Sequence, residues 1–186
     1  GNVGAGYGAT VGKLKGIRYS MKGGSGTASV TLDSGLTVGA LVVVNAVGDI
    51  LDPSTGEILA GTLSDDRKTL ADARILIREN NMLVPDSSGT NTTIAIVATN
   101  AKLSKSQVTK VAQMAQDGIA RAIYPSHTTR DGDTVFSLAT GTFQVNSDVS
   151  IIGSLAADMI VESILRALNS AESLKGIPSV NDLNDR

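Results

Sequence analysis

The sequence predicts an α+β fold in which helices cover a sheet. Two stretches rich in β-branched and apolar residues, 36–49 and 92–98, are typical of buried strands. Apolar residues recur at helical spacing after Ser104 and again over 148–168, which predicts two long helices. The predicted order is strand, strand, helix, strand, helix, strand, helix. A length of 186 residues suits a single domain, 1–186.

The first two strands form a predicted hairpin. The alternating segment 29–32 and the apolar stretch 36–49 flank the turn residues 33–35. We expect 36–49 to be one long buried strand. Asn45 follows three valines near its end, where a buried amide must find hydrogen-bond partners. On the residues alone we interpret Asn45 as a cap of the strand turn.

The central elements follow a surface loop at 53–64. Acidic residues in the first turn predict a helix over 65–78, and a polar linker rich in Asn, Asp, Ser, Gly and Pro then leads to Asn91. The strand that begins at Thr92 is nearly all apolar, which predicts that both of its faces are covered.

The next helix begins with a capping-box pattern, formed by Ser104 and Gln107. Pro125 ends this helix. A strand over 134–139 follows, and then the last long helix. The polar tail 179–186 is expected to fray.

Composition and charge restrict the function classes. Hydrophobic residues make up 41% and charged residues 18% of the sequence, which is typical of a globular chain. The net charge of −2, without a basic cluster, argues against nucleic acid or an anionic membrane as the main partner. The absence of cysteine excludes disulfides, thiolate metal sites and cysteine nucleophiles. Without a signal peptide or an apolar run of about 18–20 residues, a cytoplasmic location is expected. The absence of cysteine would also suit an exported protein.

The first residues are rich in glycine. Gly12 and Lys13 invite comparison with a phosphate-binding loop, which needs four residues between its glycines and a Ser or Thr after its lysine. Here Gly8 and Gly12 enclose three residues, and Leu14 follows Lys13. We instead expect these glycines to let the backbone pass close to another segment, or to adopt positive φ, at the rim of a site. The residues 1–4 resemble the interior of a protein, so an upstream portion is expected.

The junction between Asn91 and Thr92 joins a polar loop to an apolar strand. A threonine there occupies the first position of a buried strand, reached by a loop that could be cut without disturbing the core. That is the geometry that an N-terminal nucleophile requires. The alternative is that Thr92 only begins a strand, since β-branched residues are common there.

Two carboxylates, Asp131 and Asp133, lie immediately before the strand 134–139. They could bind a metal, although the rest of a calcium-loop pattern is absent. They could also orient a nucleophile through charge-assisted hydrogen bonds, or form a solvated turn. The single histidine, His127, lies in a polar loop. One histidine without cysteine argues against Ser-His-Asp triads and zinc sites.

Four sequence blocks follow one another in a specific order. They are 1–8 (GNVGAGYG), 22–29 (KGGSGTAS), 43–49 (VVNAVGD) and 91–99 (NTTIAIVAT). Together with Asp131-Gly132-Asp133, they resemble the L-aminopeptidase/D-esterase family, which includes β-aminopeptidases and the nylon-oligomer hydrolase. The resemblance covers essentially the whole chain.

The resemblance implies a fold and a maturation step. The fold is a layered α/β/β/α-type sandwich of the N-terminal-nucleophile hydrolases, with the N-terminal part missing from this chain. The maturation step is self-cutting between Asn91 and Thr92. The residues 1–91 would then end the larger subunit, and 92–186 would form the smaller one. A tyrosine associated with the family's site cannot be carried over to Tyr7.

The nylon-oligomer hydrolase branch is the most similar, because threonine stands at the nucleophile position and Asp131 and Asp133 follow it. The resemblance implies an N-terminal-threonine amide hydrolase of short peptides or linear amide oligomers, without cofactor or metal, in a homo-oligomer. One alternative is a β-peptide or D-amino-acid ester hydrolase of the same mechanism. Others are a non-catalytic binding protein on this fold and a metal-binding module that uses the two aspartates.

The resemblance also gives each site residue an expected role. The Thr92 hydroxyl attacks the carbonyl before it, and the amine that scission frees acts as general base for the same hydroxyl. A nearby Lys22 ammonium would lower the pKa of that amine. Asn45 would donate to the oxyanion. Asp131 and Asp133 would orient the amine, the hydroxyl or Lys22.

Overall fold

A computed structural model describes residues 1–82, 91–145 and 148–184. The polar linker predicted before Asn91 lies partly outside them, at 83–90. The strands are β1 (Thr10–Val11), β2 (Met21–Lys22), β3 (Gly24–Thr31), β4 (Thr37–Asn45), β5 (Asp49–Leu51), β6 (Ile58–Ala60), β7 (Thr92–Ala101), β8 (Ile123–Tyr124) and β9 (Thr134–Phe143). The helices are α1 (Ala73–Arg78), α2 (Lys105–Ala122), α3 (Val149–Asn169) and α4 (Val180–Asn184), with short 3-10 helices at Gly4–Tyr7 and Ile17–Tyr19.

A four-stranded sheet, ordered β3-β4-β7-β9, forms the centre of the fold. Strands β3 and β4 form the predicted hairpin. Strand β7 lies antiparallel to β4 and parallel to β9. In this register Asn45, at the end of β4, pairs with Thr92 at the start of β7, and β9 begins at Thr134 on the other side. One end of the sheet therefore collects the end of β4 and the beginnings of β7 and β9.

The two long helices cover one face of this sheet. Helix α3 lies on β3 and β4, α2 lies on β9, and the two helices pack against each other. The capping box of Ser104 and Gln107 is present at the start of α2, as predicted, and Asp148 caps α3. Buried aliphatic side chains fill the space between the layers, among them Val38, Val42, Val44, Val97, Ile119, Ile160 and Ile164. The predicted α+β class is thereby confirmed.

The opposite face of the sheet is left open by the residues that the structure describes. Its exposed large apolar side chains are Leu41, Ile94, Ile96, Phe136 and Leu138. Burial alternates from residue to residue along β7. The prediction that both faces of this strand are covered is therefore wrong for the described chain, because α2 and α3 both pack on the same face.

The first α-helix is shorter than predicted. The sequence predicts a helix over 65–78, whereas α1 begins at Ala73. The segment before it turns back on itself, with Leu63 bridged to Leu70. Asp72, at φ +61°, caps α1 by accepting from the N–H of Arg74 at 2.8 Å. A side-chain cap at Asp72 thus fixes where this helix begins.

Asp49 accounts for a second departure from the predicted elements. The predicted strand 36–49 is two strands in the structure. Strand β4 ends at Asn45, and Asp49 begins β5 in a separate sheet ordered β6-β5-β8. The buried Asp49 carboxylate accepts from the Thr62 N–H at 2.7 Å, the Thr62 hydroxyl at 3.1 Å and the Ala73 N–H at 2.7 Å. These contacts hold the start of α1 against β5. Burial nevertheless raises the pKa of Asp49 to about 6.

We expect Asp49 to make the protein less stable as pH rises. Its pKa is raised from 3.8 to about 6, so the folded protein binds this proton more tightly than the unfolded chain does. Protonation of Asp49 therefore adds ~3 kcal/mol to the free energy of unfolding below about pH 4, and this contribution is lost by about pH 6. In urea unfolding of the full-length protein at about pH 4.5 and about pH 7, Asp49→Asn should lose less stability with rising pH than the wild type.

Asp33→Asn, in an exposed turn, is the matched control and should follow the wild type. A pH dependence in Asp49→Asn equal to that of the wild type would contradict the role given to this carboxyl.

The strand predicted over 134–139 extends to Phe143.

The end of the described chain is held more firmly than predicted. Ser179 and Val180 are 2% exposed, and α4 begins at Val180. The carbonyl of Pro178 accepts from the N–H of Lys22 at 2.8 Å. The prediction that the tail frays from residue 179 is therefore wrong, because this segment packs against β2 and the core.

Candidate active site

The bond between Asn91 and Thr92 lies where β7 begins, at the end of the sheet that β4 also reaches. Asn91 is 4% exposed and Thr92 is half-buried. The Thr92 hydroxyl donates to the Asn91 carbonyl oxygen at 2.7 Å, and the N–H of Gly132 donates to the same oxygen at 2.9 Å. This carbonyl is polarised by two donors, one of which is the oxygen that would attack it.

Gly132 lies so close to the Thr92 hydroxyl that there is no room for a side chain. A Cβ atom at this position would lie 2.7 Å from the Thr92 Oγ1 atom. The Asp-Gly-Asp pattern therefore supplies a backbone donor between its two carboxylates, and this donor needs glycine.

Lys13 brings a buried positive charge to the junction. Its Nζ atom lies 2.9 Å from Oδ1 of Asn91, 2.8 Å from Oδ1 of Asn45 and 3.2 Å from the Asn45 carbonyl oxygen. Burial lowers the pKa of Lys13 from 10.5 to about 8, and the charge of Asp131 opposes the shift. Gly12, at φ +68°, lets the preceding loop pass against Gly61, where a Cβ atom would lie 2.0 Å from the Gly61 carbonyl carbon.

Asn45 directs its side-chain oxygen toward donors in residues 1–16, the segment before the second 3-10 helix, which we call the first loop. Besides Lys13, its Oδ1 accepts from the N–H of Thr10 at 3.0 Å. Asn45 and Thr92 are paired across β4 and β7. The amide to which the family resemblance gives the role of oxyanion donor thus lies beside the predicted nucleophile.

Lys22 lies elsewhere in the described chain. Its buried ammonium donates to the carbonyl oxygens of Tyr7 at 2.9 Å, Ala9 at 2.7 Å and Gly6 at 3.4 Å. Burial lowers its pKa. The cation in contact with Asn91 is Lys13, a residue that the sequence singles out only through the failed comparison with a phosphate-binding loop.

The two aspartates accept hydrogen bonds from different segments, and only Asp133 bonds to the strand that carries Thr92. Asp131 accepts from the Thr128 hydroxyl at 2.6 Å and from the N–H of Val47 at 3.3 Å. Asp133 accepts from the N–H of Thr93 at 2.8 Å, one residue after the predicted nucleophile. A cleft of about 340 Å³ opens beside these residues, lined by Gln116, His127, Thr128, Asp131, Gly132, Asp133 and Thr134.

Within the described ranges, no three residues of the His, Cys, Asp and Glu types are grouped so that they could hold a metal ion. The helices of this part of the chain are all too short or too polar to cross a membrane.

The chain matches known proteins along most of its length. The family model described as Peptidase family S58 matches residues 1–180. An uncharacterized aminopeptidase of Mycobacterium leprae (strain TN) is 43% identical over 192 residues, covering 96% of this chain and 51% of that protein. A 6-aminohexanoate-oligomer endohydrolase of Kocuria sp. (strain KY2) is 29% identical over 184 residues, covering 90% of this chain and 50% of that protein.

Solved structures share the fold. A β-aminopeptidase of Burkholderia sp. superposes with a TM-score of 0.64 at 25% identity, covering 100% of this chain and 52% of that one. An L-aminopeptidase D-Ala-esterase/amidase from Ochrobactrum anthropi, described as a variant of the Ntn hydrolase fold, gives a TM-score of 0.62 at 22% identity and covers 96% and 47%. The chain spans about half the length of the relatives it matches.

Proposed function

Because the chain belongs to peptidase family S58, we propose that it is part of an autoprocessed amide hydrolase whose nucleophile is Thr92. The family resemblance seen in the sequence and the Ntn-hydrolase fold class are both confirmed. The observation that carries the proposal is the pair of donors on the Asn91 carbonyl oxygen, the Thr92 hydroxyl and the Gly132 N–H.

The first step of the proposed chemistry is self-cutting. The Thr92 Oγ atom attacks the Asn91 carbonyl carbon, and the negative charge that develops on the carbonyl oxygen is stabilised by the Gly132 N–H. The C–N bond then breaks, the nitrogen takes up the hydroxyl proton, and the Asn91 acyl group remains on Oγ as an ester. Water hydrolyses this ester. The products are a carboxylate at Asn91 and a free α-amine at Thr92.

The freed amine is the proposed base for later turnovers. Its reference pKa of about 7.7–8.0 leaves a neutral fraction near pH 7, which can take the proton from the Thr92 hydroxyl. A positive charge nearby lowers the pKa of an amine. We assign this role to Lys13 rather than to Lys22, because Lys13 contacts Asn91 and Lys22 contacts the carbonyls of the first loop.

The remaining predicted residues keep proposed roles. Asn45 is the proposed second group at the oxyanion, since it pairs with Thr92. Asp131 stabilises the Lys13 ammonium electrostatically, which the opposing effect on the pKa of Lys13 supports. Asp133 holds the start of β7 through the N–H of Thr93.

We expect kcat/KM of the processed protein to rise with pH as the Thr92 amine loses its proton, because only the neutral amine can act as base. The pKa of Lys13 is about 8, so its ammonium is charged over the lower part of this range and lowers the pKa of the amine. Lys13→Met should therefore move the rise of kcat/KM to higher pH, with a loss of about 10-fold at about pH 6.5 and little change at about pH 9.

Lys15→Met is the matched control, because the Lys15 ammonium pairs with Asp65 instead. It should keep the pH profile of the wild type. A rise of kcat/KM at the wild-type pH in Lys13→Met would contradict the assignment.

The proposed substrates are the N-terminal residues of short peptides or linear amide oligomers. Relatives are named aminopeptidase and 6-aminohexanoate-oligomer endohydrolase. A β-peptide or D-amino-acid ester hydrolase of the same mechanism is the second candidate, favoured by the fold shared with a β-aminopeptidase and an esterase. A homo-oligomer of processed subunits in the cytoplasm completes the proposal.

Two measurements on the full-length protein test the proposed function. Intact-mass analysis should show two fragments that meet between Asn91 and Thr92. The processed protein should hydrolyse at least one class among α-peptide, β-peptide, 6-aminohexanoate-oligomer and D-amino-acid ester substrates, and chelators should not change the rate. A permanently uncut, inactive chain would favour a binding protein on this fold. Activity lost to chelators would favour the metal-binding alternative.

A further inference from the structure

His127 lies against the Asp133 carboxylate, although the proposed chemistry gives it no role. Its Nδ1 atom lies 3.1 Å from Oδ2 of Asp133, whose side chain is 2% exposed. The backbone N–H of His127 donates to the same oxygen at 3.3 Å. Gln116 closes the contact on the α2 side, with its amide 3.2 Å from Nδ1. The single histidine of the sequence is thus fixed at the edge of the cleft.

Two groups lie within hydrogen-bond distance of Nδ1, and they need opposite tautomers of the imidazole. The Asp133 carboxylate oxygen accepts a hydrogen from Nδ1, whereas the Gln116 Nε2 atom can only donate one to it. We assign the hydrogen to Nδ1, because a hydrogen bond to a charged acceptor is about twice as strong as one between neutral groups. Two donors of His127, the ring N–H and the backbone N–H, then hold one oxygen of this carboxylate.

The other oxygen of Asp133 acts on the strand that carries the nucleophile. Its Oδ1 atom accepts from the N–H of Thr93 at 2.8 Å. This N–H belongs to the peptide bond that joins Thr92 to the rest of β7, so its direction sets the direction of the Thr92 backbone. Hydrogen bonds thus connect His127 to Asp133, and Asp133 to the backbone beside Thr92.

We propose that His127 is a positioning residue for the Thr92 nucleophile, acting through the Asp133 carboxylate. This inference rests on the proposed function. Without the imidazole, the Oδ2 atom of Asp133 keeps only the longer bond from the backbone N–H of residue 127, so the carboxylate is less firmly directed at Thr93. Misplacement of a reacting group by about 1 Å can cost about 100-fold in rate.

The backbone at His127 offers a matched pair of variants. Its φ is +54°, a left-handed conformation that glycine and asparagine both adopt readily. Asparagine places its Nδ2 donor near the position of Nδ1, whereas glycine keeps the backbone and removes the donor. His127→Ala is a second donor-free variant for the case in which the glycine variant does not fold, since it removes the ring without placing a second carboxylate beside Asp133.

The test is steady-state hydrolysis by the full-length, processed wild type and variants, on the substrate class that the wild type turns over. We expect His127→Gly to lower kcat about 10- to 100-fold with KM within about 2-fold, and His127→Asn to keep kcat within about 3-fold of the wild type. Equal kcat values for the two variants, at any level, would overturn the proposal. An uncut and inactive wild type would instead contradict the proposed function itself.

Discussion

Replacing Thr92 with alanine is expected to leave the full-length protein as one uncut chain without hydrolytic activity. The Thr92 Oγ atom is the oxygen that would accept the acyl group of Asn91, and it already donates to that carbonyl at 2.7 Å. Alanine offers no nucleophile, and losing one costs on the order of a million-fold in kcat in a comparable hydrolase. Intact-mass analysis should therefore show a single mass where the wild type shows two.

Two neighbouring variants make this result specific. Thr92→Ser keeps the hydroxyl and should still be cut. The Thr93 hydroxyl is buried and has no hydrogen-bond partner among the residues that the structure describes, so Thr93→Ala should be cut like the wild type. Scission in Thr92→Ala would exclude Thr92 as the nucleophile.

The sequence predicts well those elements that local patterns determine. The β3–β4 hairpin follows from alternation around a turn, and α2 follows from its capping box and helical periodicity. The predicted helix over 65–78 is wrong because its acidic first turn does not decide where the helix starts. The helix begins instead after the Asp72 cap, and the Asp49 carboxylate, 24 residues before Ala73, holds this start in place.

The candidate site divides in the same way. The Asn91–Thr92 junction and the two aspartates can be found from motifs, because they lie in contiguous stretches. Motifs cannot decide between Lys13 and Lys22, because each lysine lies next to a glycine in the glycine-rich first part of the sequence. Only the tertiary path of the loop, which brings Lys13 to Asn45 and Asn91, distinguishes them.

The sequence also does not predict the role of Gly132. The residue is part of a recognisable Asp-Gly-Asp pattern, in which the carboxylates attract attention as the chemical groups. Its own contribution is a backbone N–H aimed at Asn91 and the absence of a Cβ atom beside Thr92. Both depend on how β9 approaches the start of β7, which is a parallel pairing between distant segments.

We expect Gly132→Ala to slow self-cutting about 100- to 1,000-fold, the typical cost of losing one oxyanion donor. The new Cβ atom would lie 2.7 Å from the Thr92 Oγ1 atom, so either the hydroxyl or the loop must move. Movement of the hydroxyl removes its alignment with the Asn91 carbonyl, and movement of the loop withdraws the N–H that stabilises the oxyanion. The time course of scission, followed by intact mass after synthesis of the full-length protein, measures the effect.

Gly8→Ala is the matched control for this substitution. Gly8 also lies in a loop, but a Cβ atom there would meet no other atom within 4 Å. The control should be cut at the wild-type rate. If Gly132→Ala is also cut at that rate, the carbonyl of Asn91 does not need the Gly132 N–H, and other groups must stabilise the oxyanion of self-cutting. Asn45, which pairs with Thr92, and Lys13, which contacts the Asn91 side chain, are then the candidates. Unchanged cutting in Gly132→Ala together with slow cutting in Lys13→Met would therefore show that Lys13, and not the Gly132 N–H, stabilises the oxyanion.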